Sequence, residues 1–136
     1  MKNVLNLVIT MLFCCVFVSM TQGFTHPCAP TTLEELDTIK ANLDKEPWKS
    51  GYAALAADGR SQLGYVMGGP FEVVKRNPDE NLWPWRGDMI AFYNLARMWY
   101  FTGNEAYAQK AHDIIIAWAT VHKTFGGNES GLDLGD

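Results

Sequence analysis

The chain has 136 residues, with 15 Asp+Glu against 11 Lys+Arg, a formal net charge of −4 and three cysteines. That length suits one small domain or a piece of a larger one. A mildly acidic balance with no basic run argues against nucleic acid or an anionic membrane surface as partner.

The first 23 residues read as a secretory signal peptide. Lys2 gives the positive start, and Val4 to Val18 is apolar apart from Asn6 and Thr10. Thr21 and Gly23 are the small residues of a cleavage site. The apolar run is about 15 residues, short of the roughly 20 that span a bilayer. An uncleaved anchor is the lesser alternative. Cys14 and Cys15 lie inside the run, with Phe13 where a lipoprotein site needs a small residue, so both leave with the leader. Cys28 is then the one cysteine of the exported part, which excludes an internal disulfide.

Residues 24–136 are the functional part. Phe24 to Pro30 reads as extended, because Pro27 and Pro30 block a helix. Thr32-Leu33-Glu34-Glu35 is a capping box, with Thr32 as N-cap and Glu35 reaching back to its N–H. Leu33, Leu36, Ile39 and Leu43 then share a face, which predicts a helix to about Asp44. Pro47 is placed for the first turn of a second helix, with Trp48, Tyr52 and Leu55 as its stripe and Asp58-Gly59 as its end.

Residues 58 to 87 show no sustained helical period and read as a long loop, which in a small domain points to function or mobility. Asp88 reads as the cap of an apolar helix from Met89 to Phe101, ringed by apolar residues and so expected to be buried. Thr102-Gly103-Asn104 is a turn, with Gly103 ending one helix and Asn104 capping the next. The next helix, Glu105 to about Val121, carries Tyr107, Ala111, Ile114 and Trp118 on one stripe. The two helices form an antiparallel hairpin with small residues where they cross. Phe125 to Asp136 reads as loop. The expectation is an all-α fold, cut from a longer helical domain.

The residues carry a family likeness. His26-Pro27, the capped Thr32–Leu43 helix and Glu46-Pro47-Trp48-Lys49-Ser50-Gly51-Tyr52 resemble the opening of alginate-lyase-like polysaccharide lyases. So does the hairpin from Tyr93-Asn94-Leu95-Ala96 through Trp99-Tyr100-Phe101-Thr102-Gly103-Asn104-Glu105-Ala106-Tyr107-Ala108 to Ala117-Trp118-Ala119, followed by Phe125-Gly126-Gly127-Asn128. The likeness spans nearly all of residues 24–136. Cys28 stands where a glycine is common after His-Pro.

The resemblance implies a partial (α/α) toroid built from helical hairpins, incomplete in this chain. It implies an enzyme that cuts uronate polysaccharides by β-elimination, in the periplasm or outside the cell, and needs no cofactor. A base takes the C5 proton of a uronate, donors neutralise its carboxylate, and an acid protonates the O4 leaving group. In the family those catalytic groups lie on later helices, so none is assigned within these 136 residues.

Four residues are candidates for substrate contact. Trp83, Trp85 and Arg86 put flat apolar faces and a bidentate donor within four residues, which suits a sugar bearing a carboxylate. The structural alternative is that both Trp rings pack the loop onto the hairpin while Arg86 pairs with Asp79, Glu80 or Asp88. Asn94 sits in an apolar helix, where a buried amide needs partners; it bonds a neighbouring helix or faces the cleft. Lys75-Arg76 reads as a solvated pair, and Tyr52 and Tyr93 as core aromatics. No zinc spacing is found among the His and Cys residues, His112 and His122 included, and Glu129, Asp133 and Asp136 lack the ligand density of a calcium loop. A second class of function stays open: Trp99 to Ala108 also resembles a tetratricopeptide-type hairpin, which would make this an exported binding scaffold without chemistry.

Overall fold

The structure, a computed structural model, describes residues 31–127. The signal peptide over residues 1–23, the segment with His26 and Cys28, and the acidic loop with Glu129, Asp133 and Asp136 lie outside the described residues. Contacts divide the chain after Leu36 into two units. The described part of the first unit is the start of helix α1; every later element belongs to the second.

Helix α1 spans Leu33–Lys40. Its capping box is formed: Glu35 Oε2 accepts from the Thr32 N–H at 2.7 Å, and the Glu35 N–H donates to Thr32 Oγ1 at 3.2 Å. The Thr32 N–H, and then the Thr32 hydroxyl donating to the same oxygen at 3.1 Å, hold the Glu35 carboxyl below its usual range. The helix stops at Lys40, short of the expected Asp44, and residues 41–44 are turns. Asn42 explains the stop, because its side chain donates to Thr38 O at 2.8 Å and competes with the backbone ladder. Helix α2 spans Trp48–Ala57, directly after Pro47. Its Tyr52 ring meets Phe101 edge-on at 6.0 Å.

The segment from 58 to 87 departs most from expectation. Asp58 caps a single 3-10 turn, Gly59–Ser61. Strand β1, Val73–Lys75, then pairs in parallel with β2, Thr124–Gly126, in the register Val73↔Thr124, Val74↔Phe125 and Lys75↔Gly126. The described residues are therefore mostly helical with one small strand pair, and the region from Phe125 opens on a strand residue. Val74 is completely buried.

Helix α3 spans Leu82–Thr102, beginning seven residues before the expected Met89. Pro84 does not prevent this. It is the third residue of the helix, where the N–H has no intrahelical acceptor, so the missing donor costs nothing. Asn81, at φ 62°, turns the chain into the helix, and its backbone oxygen accepts the first helical bond from Trp85 at 3.1 Å. Trp83-Pro84-Trp85-Arg86 is thus helical. Asp88 is not a cap; it lies in the second turn and faces inward.

Gly103, at φ 70°, ends α3, and its N–H donates to Trp99 O at 2.7 Å. Such a left-handed residue is where glycine is favoured. Asn104 Oδ1 then accepts from the Ala106 N–H at 3.0 Å and starts α4, Glu105–Val121. Both sides of this turn follow the expectation. Its core joins Leu82, Ala91 and Leu95 of α3 to Ala111, Ile114 and Trp118 of α4, with Val74 of β1. The two alanines let the helices approach; each large side chain in this set contributes about 1.5–3 kcal/mol by leaving water.

Asp88 ties this core to the chain before it. Its Oδ1 accepts from Tyr65 Oη at 2.8 Å and the Gly68 N–H at 3.0 Å; its Oδ2 accepts from the Gly69 N–H at 3.0 Å and Trp118 Nε1 at 2.8 Å. The side chain is fully buried. Gly69 is required by this approach, because a Cβ there would overlap the Trp118 ring.

Asp88→Ala leaves two backbone N–H groups and the indole N–H without acceptors. At about 1–3 kcal/mol for each buried orphan, the variant is expected to lose at least ~3 kcal/mol. Asp88→Asn keeps one acceptor oxygen and should lose less. Urea unfolding followed by far-UV circular dichroism reads the difference; equal stability of Asp88→Ala and the parent would refute the central role of this carboxylate.

Candidate functional site

Two surfaces flank the Asp88 cluster. The first is an open apolar groove of about 200 Å³, lined by Trp85 and Met89 from α3 and by Ile115, Trp118, Ala119 and His122 from the end of α4. It forms because α3 starts early enough to bring Trp85 alongside the last turns of α4. Trp85 is braced by Phe125 of β2, with ring centroids 5.1 Å apart. The β1–β2 pair thus holds the wall of the groove in place.

His122 closes one end. Its ring packs against Phe125 at 4.4 Å and Trp118 at 6.2 Å. Its Nδ1 is buried and has no hydrogen-bond partner among the described residues. Sequence reasoning misses His122, because spacing to His112 tests it only as a metal ligand. Its nearness to Trp118, four residues earlier on the same face, is the signal that could have found it.

The second surface is the outer face of α3. Trp83 is 66% exposed, and the Arg86 guanidinium lies 5.5 Å from its ring centroid. The three-residue spacing puts both side chains on one face once the segment is helical. An aromatic face with a cation beside it presents a flat apolar surface and N–H donors together.

The four residues expected to meet substrate are therefore divided. Trp83 and Arg86 come together on the outer face of α3. Trp85 lines the groove and packs against the core of the hairpin. Asn94 is buried with 8% of its surface exposed, on the side of α3 that carries Ala91, Leu95 and Met98. Tyr93, expected in the core, is 44% exposed. Lys75 is paired with Glu80 across the turn after β1.

Tyr65 is the titratable group most altered by this arrangement. Burial first, and the hydrogen bond to Asp88 second, push its pKa from an ordinary value of 10.0 to about 12. A phenol held in its neutral form keeps donating to Asp88 at any physiological pH.

A family model described as alginate lyase matches residues 42–125, more than half of the chain. The match takes in α2, β1, both helices of the hairpin and the start of β2. No curated protein and no solved structure gives a match.

The Tyr65 shift sets an alkaline limit. Its folded pKa lies above the unfolded value, so its contribution to stability is complete below pH 10 and lost as pH rises towards 12. In Tyr65→Phe the fall in stability over that interval should be shallower. Urea midpoints measured between pH 9 and pH 12 test this, and parallel curves would rule it out.

Proposed function

The chain belongs to the alginate lyase family, and from that premise we propose that it serves a polysaccharide lyase acting on uronate polymers by β-elimination. The family gives the polysaccharide; the uronate is favoured by the chemistry of the α3 face. A uronate ring has a flat C–H face and a carboxylate in its plane. Trp83 suits the first and Arg86 the second. The observation that carries this reading is the guanidinium of Arg86 held 5.5 Å from an indole that is 66% exposed.

In this reading residues 24–136 are the N-terminal part of an (α/α) toroid, exported by the leader over residues 1–23 to where such polymers are met. Their work is to grip the polymer. Trp83 and Arg86 contact it directly, Trp85 and Asn94 pack within the fold that carries them, and the base and acid are supplied by helices further along the fold. A grip has catalytic value only if it holds the uronate so that C5–H faces the base while donors wait at the carboxylate. The tetratricopeptide-like scaffold gains no support from the comparisons, since the family model takes in the same hairpin.

Binding of size-fractionated alginate by the 136-residue chain tests the grip. Arg86→Ala is expected to weaken it about tenfold, the loss of one charge-assisted contact, and Trp83→Ala by a similar factor. Unchanged affinity in both variants would remove Trp83 and Arg86 from the site. The same samples, followed by the ultraviolet absorbance of unsaturated uronates, are expected to show binding without turnover; steady product formation would place the base and acid within these residues.

A further inference from the structure

We propose that α3 carries a second sugar-binding element, Tyr93 with Arg97, and that it continues the Trp83–Arg86 contact into an extended track for an anionic polysaccharide. The proposal rests on the polyuronate reading above. It adds two binding residues and a minimum length of ligand.

The first support is a repeated local arrangement. The Arg97 guanidinium lies 5.4 Å from the centroid of the Tyr93 ring, nearly the distance at which Arg86 lies from Trp83. The tyrosine is 44% exposed. A guanidinium carries its N–H donors in its own plane, so Arg97 can offer a carboxylate two-point bonding while staying beside Tyr93.

The second support is alignment. Positions 83, 86, 90, 93 and 97 follow the spacing of one helical face. Ile90 lies between the pairs and is 40% exposed, so the stripe between them is apolar. From Trp83 to Tyr93 the helix rises about 15 Å. That span fits an oligosaccharide and exceeds a single sugar.

The third support is charge. The chain as a whole is acidic, with a net charge of −4. Yet the one carboxylate on α3 is Asp88, which is buried and bonded to four donors. Arg97 has no acidic partner among the described residues. Arg97 thus sets a positive charge on the outer face of α3 in a negative protein. An ordinary solvated face would mix charges of both signs and few large apolar rings. Single-stranded nucleic acid shares the polyanion and the stacking surface, but the sequence pI of about 5.3 and the family match favour the polysaccharide.

The test uses the full chain, alginate oligomers of graded length, a neutral glucan oligomer and a single-stranded oligodeoxynucleotide, with affinity read by calorimetry. The parent is expected to bind long alginate oligomers at least tenfold more tightly than short ones. Arg97→Ala and Tyr93→Ala should abolish most of that gain and leave short oligomers within about twofold of the parent. Arg97→Lys keeps the charge but not the fork, and should recover only part of it. Circular dichroism confirms that each variant remains helical. If the parent shows the length effect and neither variant reduces it, the track is wrong while Trp83 and Arg86 stand. If the parent binds no uronate, or binds the glucan or the oligonucleotide as tightly, the polyuronate reading fails and takes the track with it.

Discussion

The carboxylate of Asp88 is the constraint around which the rest is arranged. It is fully buried, and such a group is tolerated only when its oxygens are occupied by donors. Two come from side chains and two from successive backbone N–H groups at Gly68 and Gly69. The backbone donors make the requirement strict. A peptide N–H cannot be swivelled like a side chain, so the chain at residues 68–69 must lie against α3, and only glycine lets it lie there under the Trp118 ring. Trp118 in turn is fixed by its indole N–H, and it forms part of the groove wall. One side chain thus sets the path of the segment before α3 and the orientation of a ring on α4.

This arrangement explains which parts of the fold are legible in the sequence. Thr32 with Glu35, Gly103 and Asn104 act within four residues, and their bonds can be read from local spacing. Asp88 acts on Tyr65 and Trp118, 23 and 30 residues away. An Asp just before an apolar run has the local signature of a cap, and nothing nearby distinguishes a cap from a buried hub. Pro84 strengthens the misreading, since a proline argues against a helix interior but not against a first turn. The β1–β2 pair is hidden for the same reason, because its strands are three residues each and are joined only after the whole hairpin has intervened.

The candidate site is legible in composition and not in direction. Trp83, Trp85 and Arg86 stand out as a cluster of rings and a cation, but in a loop they could all face one way. A helix turns about 100° per residue, which puts Trp83 and Trp85 on different sides and joins Arg86 to Trp83. Tyr93 is expected in the core because its neighbours are apolar. The helix carries apolar residues on more than one side, so period alone does not say which side faces the hairpin.

A single helix therefore has two chemically opposed faces with one mechanical consequence. Its inner face is held by buried donors and close-packed alanines, and its outer face presents rings and guanidinium groups. A binding surface made of long side chains loses affinity to the entropy of ordering them. Mounting Trp83, Arg86, Tyr93 and Arg97 on a helix anchored from within reduces that loss, because the backbone beneath them is already fixed. The contact of each guanidinium with its neighbouring ring reduces it again by limiting the rotamers of the arginine. The buried carboxylate and the partly buried arginines are consequently parts of one arrangement: the first gives the helix its position, and that position decides where the second point in the proposed track.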